Sequence, residues 1–170
     1  VAMLTSPLVS RFGIKERFEF YDHDSLAQII MRSACIEGIS ITDEGAKALA
    51  ERSRGTPRVA NRLLRRVRDF ASLHEELEIS PNRVDEALGR MEIDHRGLEP
   101  LDRKIMRTIR DRYDGGPVGI ETLAHTIGED KSTLEEVYEP FLVYRGLVAR
   151  GPRGRELTSD GFTHLKQISD

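Results

Sequence analysis

One helix that can bury only a narrow stripe constrains this chain more than any other feature. It lies in Arg54-Gly55-Thr56-Pro57-Arg58-Val59-Ala60-Asn61-Arg62-Leu63-Leu64-Arg65-Arg66-Val67-Arg68-Asp69-Phe70. Gly55 interrupts what precedes it, Thr56 can cap a helix, and Pro57 suits the first helical position, where no amide partner is lost. Ala60, Leu63, Leu64, Val67 and Ala71 then recur at helical spacing, while Arg58, Arg62, Arg65 and Arg66 fall off that stripe. Such a helix has to lean on others. Arg58 stands in its first turn, where a cation opposes the positive end of the helix dipole at a cost of roughly 0.3–1 kcal/mol. That placement is useful where an anion such as a phosphate must be held. A solvated basic helix face is the alternative reading.

The neighbouring pattern supplies the partners. Asp22 or Asp24 caps a helix to about Glu37, with Leu26, Ile29, Ile30 and Ala34 inward and Gly38 closing it. Thr42 or Asp43 caps a second, carrying Ala46, Leu49 and Ala50. The arginine helix is the third and runs to about Leu73. Ser80-Pro81 opens a fourth, with Val84, Ala87, Leu88 and Met91 inward. Four short helices at these loop lengths form a small bundle over residues 22–93. Residues 1–21 read instead as a turn or short helix followed by strand-like alternation at Phe18, Phe20 and Tyr21. The chain offers that strand no partner, so its sheet is expected elsewhere. With Val1 at the start, the chain reads as a piece of a longer protein.

Between Ile93 and Pro100 the apolar pattern lapses, and a second unit is expected over residues 97–170. Leu101, Ile105, Ile109 and Tyr113 form a helical stripe ending at Asp114-Gly115-Gly116-Pro117. Val118 and Ile120 allow a short strand, and Glu121 or Thr122 starts a helix that Gly128 closes. A long helix then runs through Leu134, Val137, Tyr138, Phe141 and Leu142, where Pro140 predicts a kink or a missing hydrogen bond. Leu147–Arg150 and Arg155–Thr158 flank Gly151-Pro152-Arg153-Gly154. Pro152 fixes one turn dihedral and Gly154 can take a positive φ, so a β-hairpin is expected. A short helix over residues 161–167 ends the chain. This order is that of a winged helix. The fold class is therefore mainly α: a four-helix bundle followed by a winged-helix domain.

A net charge of −3 excludes a protein that is basic all over, so any nucleic-acid footprint must be local. The hairpin is the sharpest such feature, with Arg150, Arg153 and Arg155 in six residues. A narrow arginine-tipped hairpin suits phosphate contact and minor-groove insertion; charged guarding of edge strands is the other reading. The helix from Asp130 carries Glu135, Glu136 and Glu139, which phosphates repel, so it is not expected deep in a major groove as a reading helix. A sequence-reading regulator with a helical dimerisation domain is disfavoured on that ground. Cys35, alone of its kind, is expected as a core thiol beside Ile30 and Ala34. The five histidines lack ligand spacing, so no metal site is expected. No apolar run approaches the roughly 18–20 residues that span a bilayer, and the start lacks signal-peptide character. A cytosolic location and no membrane association are expected. No GxxxxGK[ST] phosphate loop occurs in the sequence, so the chain alone is not expected to hydrolyse a nucleotide.

From Leu4 to about Lys166 the chain resembles the C-terminal half of the RuvB family, motors of the AAA+ class. The resemblance is carried by Leu4-Thr5-Ser6-Pro7-Leu8 with Arg11-Phe12-Gly13, by Phe20-Tyr21, by Arg52-Ser53-Arg54-Gly55-Thr56-Pro57-Arg58 and by Asp102-Arg103-Lys104-Ile105. Gly115–Gly119, Val137-Tyr138-Glu139-Pro140 and Pro152-Arg153-Gly154-Arg155 extend it. It implies a AAA+ lid over 22–93, a winged-helix DNA-binding domain over 97–170, and the end of the AAA+ core in residues 1–21. It further implies a bacterial, cytoplasmic homohexamer that uses ATP and Mg²⁺ to drive branch migration of Holliday junctions in recombination and repair, within the SOS response. RuvA, bound through the other half, and RuvC, in the resolving complex, are the implied protein partners, and double-stranded DNA the implied track. By this resemblance Arg58 matches the sensor arginine that reaches the nucleotide phosphates, and Tyr21 lines the nucleotide pocket. Arg11 matches a nucleotide-site arginine and a candidate trans-acting finger; relatives carry a second arginine where this chain has Val9. Arg150 and Arg155 match DNA-contacting wing residues, with Arg153 at the tip. An origin-recognition-type ATPase, which shares this plan, is the remaining alternative.

Overall fold

In the computed structural model, residues 11–14, 16, 19–73 and 78–168 are described. The expectations resting on residues 4–9 and on Phe18 lie outside the described residues.

Helix α1 (His23–Glu37) begins at Asp22, whose carboxylate accepts the Ser25 amide, and stops at Gly38, in the left-handed conformation at φ +66°. Thr42, Thr56 and Ser80 cap α2 (Asp43–Glu51), α3 (Pro57–Ser72) and α4 (Pro81–Arg90) in the same way, and Pro57 and Pro81 open their helices. Four capped amphipathic helices can close one core. Leu26, Ile30, Leu49, Leu63, Leu64, Val67 and Leu88 are fully buried in it. A single parallel bridge, Ile41 to Ile79, ties the approach to α2 to the approach to α4.

Cys35 is exposed, which corrects its expected place in the core. The buried stripe of α1 is Leu26, Ala27, Ile30 and Ala34. One residue past Ala34 the helix has turned by about 100°, so Cys35 and Ile36 face outward. Met91, also expected inward, is 36% exposed just past the end of α4.

The second core holds Leu98, Ile105, Met106, Ile109, Leu123, Leu134, Phe141, Leu142, Leu147 and Leu165. Helix α5 (Pro100–Tyr113) leads into α6 (Ile120–Ile127). The strand expected at Val118 and Ile120 is one antiparallel bridge, Val118 to Arg155, because Ile120 already belongs to α6. The expected long helix runs as α7 (Lys131–Thr133), a π-helical turn (Leu134–Tyr138) and α8 (Glu139–Tyr144). Pro140 gives the reason: it has no N–H to donate, and the Glu139 amide reaches back five residues to the Leu134 carbonyl. The extra residue in that turn moves Val137 off the buried stripe, and it is 56% exposed instead of inward.

Strands β1 (Val148–Gly151) and β2 (Gly154–Leu157) pair antiparallel around the Pro152-Arg153 turn, with Arg150 opposite Arg155. At Gly154 (φ +134°) a Cβ would collide with the Val118 carbonyl, so only glycine lets the hairpin lie this close. Helix α9 (Ser159–Gln167) closes the second core and helps tie the segment 94–96, between α4 and α5, to it. His164 in α9 meets Asp94 at 2.8 Å, and Arg96 meets Asp160 at 2.7 Å. Burial pushes the Asp94 carboxyl up, but the His164 hydrogen bond and the Leu98 and Arg96 amides outweigh it and hold the group below its usual value.

Candidate functional site

Two arginine-bearing turns, one before α3 and one in the wing, collect the charged residues that could act on a ligand. In the first, α3 presents its basic face to solvent. Arg62 pairs with Glu99 at 3.0 Å, Arg65 with Glu37 at 2.8 Å, and Arg68 with Asp69 at 2.7 Å. Arg58 is exposed and forms no ion pair among the described residues. It lines a groove of about 360 Å³ with Phe20, Thr56, Glu136, Val137 and Tyr138. A free guanidinium in the first turn, where the dipole opposes it, is a standing anion receptor. Tyr21 is brought close by its amide, which donates to the Gly55 carbonyl at 2.9 Å, and its side chain is 45% exposed. Arg11 is exposed on the lead-in segment, and no hydrogen bond or ion pair among the described residues ties it to Tyr21 or Arg58.

Four residues before Arg58, Arg54 does something its sequence did not announce. It is buried, at φ +55°, and its guanidinium contacts the buried Asp102 carboxylate at 2.5 Å. Its plane lies 4.2 Å from the Phe141 ring centroid and 5.5 Å from that of Tyr138. Burial raises the Asp102 carboxyl to about 6, against the pull of Arg54 and of the Glu99 amide. Gly55 (φ +67°) follows, where a Cβ would sit 2.7 Å from Phe20. The Phe20 ring in turn packs against Tyr144 in a tilted arrangement, with centroids 4.5 Å apart. The available signal was a crowd of arginines, Arg52, Arg54 and Arg58, around one glycine, too dense for all to be solvated.

In the wing the three arginines part company. Arg153, at the turn, is exposed and unpaired among the described residues. Arg150 is 59% exposed by its side chain and contacts Glu139 at 3.1 Å. Arg155 does not present its charge outward as expected. Its side chain is 11% exposed, with Nε 2.8 Å from Glu139 and Nη2 3.1 Å from Glu135. The physical cause is the register. Arg150 and Arg155 are cross-strand partners, and like charges directly opposite repel unless an acid lies between them. Glu139, from α8, is that acid. Part of the acidity that should repel phosphates is thus consumed internally, leaving Glu129, Asp130 and Glu136 exposed.

A four-helix bundle with an exposed arginine beside a capped helix start, followed by a winged helix with an arginine-tipped hairpin, has the plan of a AAA+ lid joined to a winged-helix domain. Residues 21–94 match the RuvB AAA lid domain, and residues 95–166 match the RuvB C-terminal winged helix domain. The chain belongs to the RuvB family. It is 55% identical over 163 residues to the Holliday junction branch migration complex subunit RuvB of Treponema denticola, covering 96% of this chain and 48% of that protein. The protein of the same name from Nitratidesulfovibrio vulgaris is 50% identical over 168 residues, covering 99% of this chain and 52% of its own length. Among solved structures, the Thermotoga maritima RuvB Holliday junction branch migration motor superposes with a TM-score of 0.94 at 45% identity, covering 97% of this chain and 55% of that one. The chain spans about half the length of the curated relatives it matches. Among the described residues no helix is long and apolar enough to cross a membrane.

Proposed function

We propose that this chain is the lid and winged helix of an ATP-driven hexameric DNA translocase, cytoplasmic and bacterial, that drives branch migration of Holliday junctions in recombination and repair. RuvA holding the junction and RuvC resolving it are its partners in this reading. The observation that carries it is the match of both halves, in order, to the two RuvB domains. The residues fit a nucleotide: among the described residues Arg58 has no counter-ion at a helix start, and Tyr21 offers a half-exposed ring beside the same loop. ATP with Mg²⁺, bound mainly by another part of the motor, supplies the free energy of phosphoryl transfer. Arg58 binds phosphate oxygens, Tyr21 packs on the nucleoside, and Arg11 acts at the nucleotide site from the lead-in segment. Arg153 and Arg150 contact the DNA backbone, and Arg155 holds the hairpin beneath them.

A crossed pair of substitutions tests this. In the full-length protein Arg58→Ala lowers ATP turnover by about 10–150-fold, the worth of one charge-assisted hydrogen bond, and leaves duplex affinity unchanged. Arg153→Ala leaves unstimulated turnover unchanged and reduces the slope of log K against log salt by about one. Normal turnover in the first, or an unchanged slope in the second, defeats the corresponding role.

A further inference from the structure

Arg54 and Asp102, neither assigned a part in nucleotide or DNA contact, meet in space. Arg52–Arg58 spans the turn from α2 into α3, Asp102–Ile105 lies in α5, and between them lies one buried ion pair. Arg54 is held in the left-handed region, which a non-glycine residue adopts only when its surroundings demand it. The demand comes from three elements of the winged helix. Asp102, in the first turn of α5, receives Arg54 Nη1 at 2.5 Å; the Val137 carbonyl, in the π turn, receives Nη2 at 3.3 Å; Phe141, in α8, lies under the guanidinium plane. The same Asp102 oxygen accepts the Glu99 amide at 2.8 Å, and the other oxygen is buried with no hydrogen-bond partner among the described residues. Among the described residues Arg54 is therefore the only cation in contact with a carboxylate that is 0% exposed.

We propose that the Arg54–Asp102 pair is the pin that makes the lid and the winged helix turn as one body, carrying displacement of the α3 start to the wing. The loop from Arg54 to Arg58 is short and pinned at one end. A pull on Arg58 either drags α5, the π turn and α8 with it or parts a buried ion pair, and the second is costly because each charge is left without water. Arg54 is a positioning residue: it acts through the second domain and not on a ligand. The mechanical part stands on geometry alone; its use in the motor rests on the nucleotide-facing reading of Arg58.

The test uses Arg54→Met and Asp102→Asn, the latter keeping shape and an acceptor for Glu99 should the former fold poorly. On this chain, backbone ¹⁵N relaxation gives one rotational correlation time for both halves of the wild type and two shorter ones in either variant. In the full-length protein, assayed on a synthetic four-way junction with RuvA, ATP turnover stays within about twofold. ATP consumed per unit of branch migration rises by roughly 5–150-fold, the ordinary range of coupling between sites. Single-body tumbling with an unchanged ratio in both variants overturns the proposal. So does equal loss of turnover and migration, which would place Arg54 in the nucleotide site. A failed Arg58→Ala test would remove the nucleotide reading while leaving the tumbling result standing, so the two failures are distinguishable.

Discussion

The loop ahead of α3 and the hairpin of the wing are built on the same plan, each with one arginine buried on an acid and one left free. Arg54 sits on Asp102 while Arg58 is exposed, and Arg155 sits on Glu139 while Arg153 is exposed. They differ in how the buried charge is shared. In the wing, two glutamates and two arginines form one network within a single domain. In the loop, a single arginine faces a single carboxylate across two cores. A shared network tolerates the loss of a member; a lone buried pair does not. Redundancy suits a grip, and its absence suits a joint.

Removing Arg54 should therefore give the largest loss. Arg54→Met strands Asp102 and is expected to cost about 3–5 kcal/mol at neutral pH in urea unfolding of this chain. A cost under about 1 kcal/mol would make the pair as dispensable as a surface ion pair and end the contrast.

Acid sharpens the same contrast. The groups facing Asp102 are Arg54, which favours its charge, and Glu99 and the Tyr138 hydroxyl around it. Its folded value, about 6, lies above the ordinary 3.8, so the folded chain binds this proton more tightly than the unfolded one. The resulting stabilisation is complete below about pH 4 and is lost as pH rises through about 6, to at most ~3 kcal/mol. The stability difference between wild type and Asp102→Asn should fall by that amount across the window. A flat difference would mean that Asp102 stays ionised throughout.

In the wing, Glu139→Ala leaves Arg155 with Glu135 and should cost only about 1–3 kcal/mol. It also releases Arg150 and Arg155 toward solvent, so duplex affinity at low salt should rise. A loss as large as that of Arg54→Met would show that the network is not redundant.

How much of this was legible depends on range. The caps at Asp22, Thr42, Thr56 and Ser80 and the stop at Gly38 are local chemistry, and each helix begins where its cap stands. Pro140 was legible as a defect because a missing donor is a property of one residue; the π turn it produces, which turns Val137 outward, was not. Cys35 misled because a stripe read loosely can absorb a residue 100° off its axis. The Arg54–Asp102 contact joins charged residues 48 apart, each an ordinary surface residue on its own terms. The burial of Arg155 was within reach, since a two-residue turn fixes 150 opposite 155 and two facing arginines require an acid. Glu139 had instead been counted only as a repellent to phosphate.

The smallest effect tests the free members of the two turns. Arg153 sits on a hairpin tip with no dipole against it, and its removal should leave folding stability within about 0.5 kcal/mol. Arg58 sits in the first turn of α3 with no acidic residue there to offset it. Removing it should stabilise the chain by about 0.3–1 kcal/mol at low ionic strength, and the gain should fade as salt screens the dipole. Urea midpoints of Arg58→Ala and Arg153→Ala, compared at two salt concentrations, check both statements. A residue whose deletion strengthens the fold is kept for something other than folding. Were Arg58→Ala to weaken the chain instead, its guanidinium would be holding structure as Arg54 does, and the loop would have no free arm to offer an anion.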